Sequence, residues 1–303
     1  MTTDFLRAWY SATRPRVFTA TYVPLALAAA IALDQGVFDL APFVLALVGA
    51  LCLQAGANLV NEYADYRRGA DTYKVAGQGM TIKQQVLSPR SVLIGAVVAI
   101  AAGALIGLAL LAHSGPLLLW IGVSGVLAAI AYTAGPFPLA YNGLGEVAAG
   151  VFMGPLMVLG AYYVMARAYD PTPVLAALPV ALMVAAILHA NNIRDYDADK
   201  AVNKRTLAVI FGMRFARAEY AFLVGGAYVA LALLVAAGTI PWPGLLAFVT
   251  LPQALRLIRV FTTSSDTALL HRAQGQTAQL HGRFGLLLAL GWLLYVAARF
   301  YLA

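Results

Sequence analysis

The chain has 303 residues, of which 62% are hydrophobic and only 11% charged, against about 25% charged in an ordinary soluble domain. Mean hydropathy is +0.80 and net charge +7. These values exclude a disordered chain, a collagen-like repeat and a conventional soluble enzyme. The single cysteine, Cys52, excludes an intrachain disulfide and reads as a helix-packing residue.

A membrane-spanning helix needs about 20 apolar residues. The polar segment Met1–Arg16 runs into the first apolar stretch without a cleavage-type site, so no removable leader is expected. Nine spans are then expected in chain order: Val17–Leu33, Leu40–Val60, Ser91–His113, Pro116–Gly135, Gly145–Arg167, Thr172–Ala190, Glu219–Gly238, Ile240–Ile258 and Phe284–Leu302. The expected fold is an all-α polytopic membrane protein, a single domain over residues 1–303. Runs such as Ala96–Gly107 and Val147–Gly160 are rich in Gly and Ala, which suits close helix packing in lipid.

Charge sets the orientation. Of 20 Lys and Arg residues, 18 fall in the N-terminal segment, the loops after spans two and six, and the stretch between spans eight and nine; only Arg167 and Arg299 fall on the other side. The positive-inside rule puts the N-terminus and these loops in the cytoplasm and the C-terminus outside, in a plasma (inner) membrane. No basic stripe or RNA-binding motif accompanies the charge, so anionic lipid or substrate, and not nucleic acid, is the expected partner.

Two loops concentrate the charge. Asn61–Arg90 carries eight of the 33 charged residues and Asn191–Glu219 ten. At the end of span two, Asn58, Asn61, Glu62 and Asp65 recur at helical spacing, followed by Asp71. At the end of span six, Asn192, Asp195 and Asp199 do the same. The matching positions hint at an old internal duplication.

Clustered carboxylates repel unless a cation sits between them. Magnesium takes oxygen ligands and is held by one or two carboxylates plus substrate phosphates. Two such faces looking at each other would hold two Mg²⁺ ions bridged by a diphosphate. The expected cation ligands are Asn61, Glu62, Asp65, Asp71, Asp195 and Asp199. The basic residues Lys74, Lys83, Arg194, Lys204 and Arg205 are the expected partners of phosphate oxygens, with Asn58, Arg67 and Asn192 beside them. The bland alternative is that these are solvated loop charges that only set topology. Paired faces at membrane depth favour function.

These boxes resemble the UbiA superfamily of intramembrane prenyltransferases, and within it the 1,4-dihydroxy-2-naphthoate prenyltransferase branch. The segments that carry the likeness are Asn191–Gly212, Gly135–Glu146, Arg14-Pro15-Arg16 and Leu87–Arg90. There are departures: Glu62 stands where Asp is usual, Asn203 where Gly is usual, and Ala76–Lys83 looks less like the branch. Asn tolerates positive φ, so a turn at Asn203 is expected to survive.

The resemblance implies that a polyprenyl diphosphate docks its head at the two boxes and its tail in the bundle. Mg²⁺ neutralises the leaving diphosphate. An aromatic acceptor, dihydroxynaphthoate in this branch, attacks the allylic cation and loses CO₂. Asp65 and Asp195 are the expected catalytic carboxylates.

An allylic cation must be shielded from water and can be stabilised by aromatic faces. Tyr63, Tyr66, Tyr132, Tyr141 and Tyr196 lie near the head, though the interface belt explains most tyrosines. Tyr141 is the exception, because it sits in a matched motif. Glu146 orients the acceptor or serves as a helix N-terminal charge. His189 reads as packed rather than as a base, and His271 and His281 as surface residues. The rival readings are the same chemistry on hydroxybenzoate, homogentisate, a porphyrin or a glycerol phosphate lipid, or an ion-coupled transporter. The transporter reading wants carboxylates nearer mid-membrane than these span ends.

Overall fold

The computed structural model describes residues 2–69 and 80–302. Among them, regular structure is helical apart from one isolated parallel bridge between Asn142 and Arg205. The helices are α1 (Thr2–Ala12), α2 (Thr19–Asp34), α3 (Leu40–Arg67), α4 (Pro89–Ser114), α5 (Pro116–Ala131), α6 (Gly145–Phe152), α7 (Pro155–Ala166), α8 (Thr172–Ala176), α9 (Leu178–Arg194), α10 (Tyr196–Ala201), α11 (Leu207–Phe211), α12 (Met213–Ala236), α13 (Leu251–Thr263) and α14 (Thr267–Leu302). A 3₁₀ segment, Trp242–Thr250, leads into α13.

Helix starts follow local chemistry. The Asp39 carboxylate caps α3 by accepting from the Ala41 amide at 3.3 Å, and Ser88 caps α4 at Ser91 with Pro89 just inside. Gly115, at φ 114°, separates α4 from α5, and Pro116 opens α5.

Nine uninterrupted spans do not result. Among the described residues six helical stretches are long and apolar enough to cross a membrane; a seventh is the pair Phe5–Val17 and Thr19–Asp34, bent by 53°. The helices α5 and α9 are apolar but shorter. The expected fifth span breaks at Met153–Gly154 before Pro155, which lacks the amide to continue the helix. The sixth breaks at Ala177, and the eighth starts as 3₁₀.

The last helix departs most from expectation. It starts at Thr267, not Phe284, and runs 36 residues. Its N-terminal half buries Ala273, Thr277 and Ala278, and His281 is fully buried rather than on the surface.

The main core joins α2, α7, α9, α12, α13 and α14 around Leu25, Met183, Tyr220, Phe261 and Phe284. A second seam joins α3 to α4. A Cβ at Gly103 would lie 2.7 Å from the Leu53 side chain, so the close approach of these helices requires glycine there. At the far end of the bundle Trp292 and Arg299 of α14 both donate to Asp34 of α2, each at 3.0 Å, joining the first and last long helices.

At 28 residues α3 is about 42 Å long, roughly 12 Å more than the hydrocarbon core. Asn58–Asp65 occupy its C-terminal turns, away from its middle, where polar groups would cost most.

Candidate active site

The polar ends of α3 and α9 face a common cavity of about 720 Å³. Asn58, Asn61 and Asp65 line it from α3, and Asn191, Asn192 and Asp195 from the second motif. The rest of the wall is mostly apolar and rich in small residues, including Gly103, Gly107, Gly122 and Gly125 of α4 and α5. One cavity thus has a polar end and an apolar body.

The residues from Tyr132 to Leu144 form a strap across the polar end. Arg68 ties it to α3 by donating to the carbonyls of Thr133 and Gly135. Tyr141 donates its phenol proton to Asp65 Oδ1 at 2.9 Å. Thr133 donates to Asn61 Oδ1 at 2.6 Å. On the other side, the Arg205 amide donates to the Tyr141 carbonyl at 3.2 Å. The Tyr141 ring also receives two cations, Arg68 at 4.8 Å and Lys204 at 5.6 Å from its centroid. Burial and the neighbouring Asp65 charge push the Tyr141 phenol well above its ordinary range, so it stays a proton donor.

The second motif turns sharply after α10. Asn203 sits at φ 54°. The Lys204 amide donates to the Asp199 carbonyl and the Asn203 amide to Lys200, the paired bonds of a Schellman cap. Asn203 therefore does what glycine would do, as expected. The turn brings Lys204 Nζ to 3.2 Å from Asp199 Oδ1 and into the cavity wall. Thr206 then caps α11.

The expected residues divide as follows. Asn58, Asn61, Asp65, Asn192, Arg194, Asp195 and Lys204 come together at the cavity. Arg194 grips Asp195 through two bonds, at 2.8 and 2.6 Å. Asp199 is buried behind Lys204. Glu62 is fully buried but not in the cavity wall; its Oε1 accepts from Thr81 Oγ1 at 2.6 Å and from the Ile82 amide at 3.0 Å, anchoring the loop that follows. Arg67, Lys83 and Arg205 have exposed side chains outside the wall. Asp71 and Lys74 lie outside the described residues.

Glu146 is also buried and outside the wall. Its Oε1 accepts from His189 Nδ1 at 2.9 Å and from Asn192 Nδ2 at 2.7 Å. His189 Nε2 lies 2.7 Å from the Ala216 carbonyl, and Glu219 stands 3.6 Å from Nδ1. Both ring nitrogens face groups that only accept, the arrangement of a ring carrying both protons. These side chains bring ligand-type atoms within 4.8 Å of one another, but the ring is already fully engaged, so the cluster works as a strut between α6, α9 and α12.

The sequence reading gave no role to Arg14, Thr133 or Gln274, all of which line the cavity. Arg14 adopts φ 56°, ψ 56° directly before Pro15, against the usual restriction on that position. This strained residue lines the cavity beside the polar motifs.

The cavity oxygens suit a hard divalent cation. Two carboxylates and several amides meet at one end, with Arg14, Arg194 and Lys204 beside them.

Comparison with known proteins fits this arrangement. The model of the UbiA prenyltransferase family matches residues 22–274. A Bacillus subtilis protein named 1,4-dihydroxy-2-naphthoate octaprenyltransferase is 32% identical over 283 residues, covering 93% of this chain and 91% of its own. A Mycobacterium tuberculosis protein of the same name is 36% identical over 250 residues, covering 82% and 84%. A solved UbiA homologue from Archaeoglobus fulgidus, bound to GPP and Mg²⁺, superposes with a TM-score of 0.63 at 15% identity, over 93% of this chain and 99% of that one. The chain is an integral-membrane protein of the UbiA prenyltransferase family. It is a prenyltransferase.

Proposed function

We propose that the protein transfers a polyprenyl group from polyprenyl diphosphate to 1,4-dihydroxy-2-naphthoate, releasing diphosphate and CO₂ and giving demethylmenaquinone. The observation that carries this reading is the cavity in which both polar motifs meet at one end of an apolar body. The names of the Bacillus and Mycobacterium relatives supply the acceptor.

Each residue has a part. Arg14, Arg194 and Lys204 bind the diphosphate oxygens. Asp65 and Asp195, with the amides beside them, would hold Mg²⁺, two ions in our reading. When bound, the metal neutralises the departing diphosphate. The small-residue wall of α4 and α5 takes the isoprenoid and keeps water from the allylic carbon. Tyr132 and Tyr141 place aromatic rings at the polar end. The allylic C–O bond breaks with its electron pair leaving on diphosphate. The acceptor carbon bearing the carboxylate then bonds to the allylic carbon. Loss of CO₂ returns the electron pair to the ring.

In the same reading the chain is one domain of nine spans, counting the bent first pair and the shorter α5 and α9. The N-terminus and the polar cavity end are cytoplasmic, in the plasma membrane.

The test is a transfer assay on purified protein in lipid vesicles, with polyprenyl diphosphate, dihydroxynaphthoate and Mg²⁺ or chelator. Metal-dependent demethylmenaquinone supports the reading. Transfer only to another aromatic acceptor overturns the naphthoate assignment and keeps the site.

A further inference from the structure

Asn58 and Asn192 were expected beside the phosphate, where an amide NH₂ would donate. Hydrogen-bond chemistry points them the other way. A side-chain amide has a donor end, Nδ2, and an acceptor end, Oδ1. Asn192 Nδ2 lies 2.7 Å from Glu146 Oε1. An ionised carboxylate can only accept, so nitrogen must face Glu146. Asn58 Nδ2 lies 2.8 Å from the Thr13 backbone carbonyl, which likewise only accepts. Both residues are more than nine-tenths buried, and both line the cavity. Neither Oδ1 is a buried orphan, and neither has a hydrogen-bond partner among the described residues. What each residue offers the cavity is therefore a carbonyl oxygen.

We propose that Asn58 and Asn192 are cation ligands held carbonyl-inward, and that Glu146 is the positioning residue that fixes Asn192 in this sense. The proposal rests on reading the polar cavity end as a cation–diphosphate site. An amide oxygen is a hard, neutral ligand of the kind magnesium and calcium take. Adding it to Asp65 and Asp195 raises the ligand count without raising the negative charge that diphosphate must meet. The two pins come from different elements, the residue after α1 and the first turn of α6. Glu146 is itself locked by His189, whose other nitrogen is anchored to the Ala216 carbonyl of α12. A partner behind a ligand that sets its orientation is a common device in metal sites, and its loss costs about 10–100-fold in metal affinity.

The experiment titrates Mn²⁺ into the purified full-length protein with inorganic diphosphate, reading free Mn²⁺ by electron paramagnetic resonance. The variants are Asn192→Leu, Glu146→Leu, Glu146→Gln and the double Leu variant. Asn192→Leu and Glu146→Leu should each weaken Mn²⁺ binding by at least about 10-fold. The double variant should be no weaker than Asn192→Leu, because Glu146 reaches the cation only through that amide. Glu146→Gln, whose Oε1 can still accept from Asn192, should keep most of the affinity.

A Glu146 that merely braced the bundle would add its own loss in the double variant, and that result would overturn the positioning role. Unchanged Mn²⁺ affinity in Asn192→Leu, or no Mn²⁺ binding by the wild type, would overturn the ligand assignment. If Glu146→Leu does not fold, Asn192→Leu leaves the His189–Glu146 pair in place and tests the ligand, and Glu146→Gln tests the positioning. A protein that binds Mn²⁺ as described yet transfers no prenyl group would overturn the proposed reaction and leave this inference standing.

Discussion

The hydroxyl of Tyr141 donates to Asp65 at 2.9 Å, binding the strap after α5 to the polar end of α3. The same ring lies under Arg68 and Lys204, so one side chain joins both acidic motifs. Tyr141→Phe keeps the ring and removes the donor. We expect a fall in kcat of about 10–150-fold, corresponding to roughly one hydrogen bond to a charged group, with little change in thermal stability. Steady-state kinetics in vesicles checks this. An unchanged kcat would make the tyrosine a packing residue.

The Tyr141 phenol also makes a pH prediction. Its folded pKa is raised, so the folded state holds that proton more tightly than the unfolded chain. Its contribution to stability is therefore complete below about pH 10 and declines as pH rises beyond that. Tyr141→Phe should lose less thermal stability than wild type between pH 9 and pH 11. Parallel melting curves over that range would show that Tyr141 is not the group responsible.

Asp65→Asn and Asp195→Asn remove a charge and keep the volume. Each should lower transfer by at least about 100-fold, in line with loss of a group that stabilises the departing charge. Detergent melting temperatures should stay close to wild type. Activity within a few-fold of wild type in either variant would take that residue out of the reaction.

Glu62 is expected to behave differently. It anchors Thr81 and Ile82 and does not line the cavity. Glu62→Asp draws the carboxylate back by one methylene and leaves two buried donors short of a partner. The cost should be about 1–3 kcal/mol of stability, while the Mg²⁺ concentration giving half-maximal transfer stays the same. A changed Mg²⁺ requirement without a stability loss would return Glu62 to the metal site.

The glycines of the cavity wall predict chain-length control. A Cβ at Gly122 or Gly125 of α5 would meet no atom within 4 Å, so the space beside them is open. Gly125→Leu should fold normally, since leucine also favours the helix by about 1 kcal/mol. It should still transfer geranyl groups while losing long polyprenyl donors. Equal use of both donors would put the isoprenoid elsewhere.

Part of this site was legible in advance because it obeys one periodicity. Asn58, Asn61 and Asp65 recur at helical spacing, and α3 continues through them without a break. Glu62 satisfies the same spacing almost as well. What turns it elsewhere is a bond to Thr81, 19 positions along the chain, which no local pattern reveals. Arg67 and Arg68 are neighbours of identical chemistry; only the strap's carbonyls select Arg68. The N-terminal half of α14 is polar and so carries no span signature in the sequence. It is buried through small residues and a histidine rather than an apolar stripe, and so Gln274 went unnoticed.

The bonds from Trp292 and Arg299 to Asp34 have a consequence for biosynthesis. The ribosome makes every cavity residue, up to Gln274, before it makes the residues that latch the first long helix to the last. A nascent chain stopped just short of Trp292 would hold the whole site in an unclosed ring. Asp34 would then lack both of the donors that join α2 to α14. Completion of the last turns of α14 therefore closes the bundle around a site whose residues have all been made already.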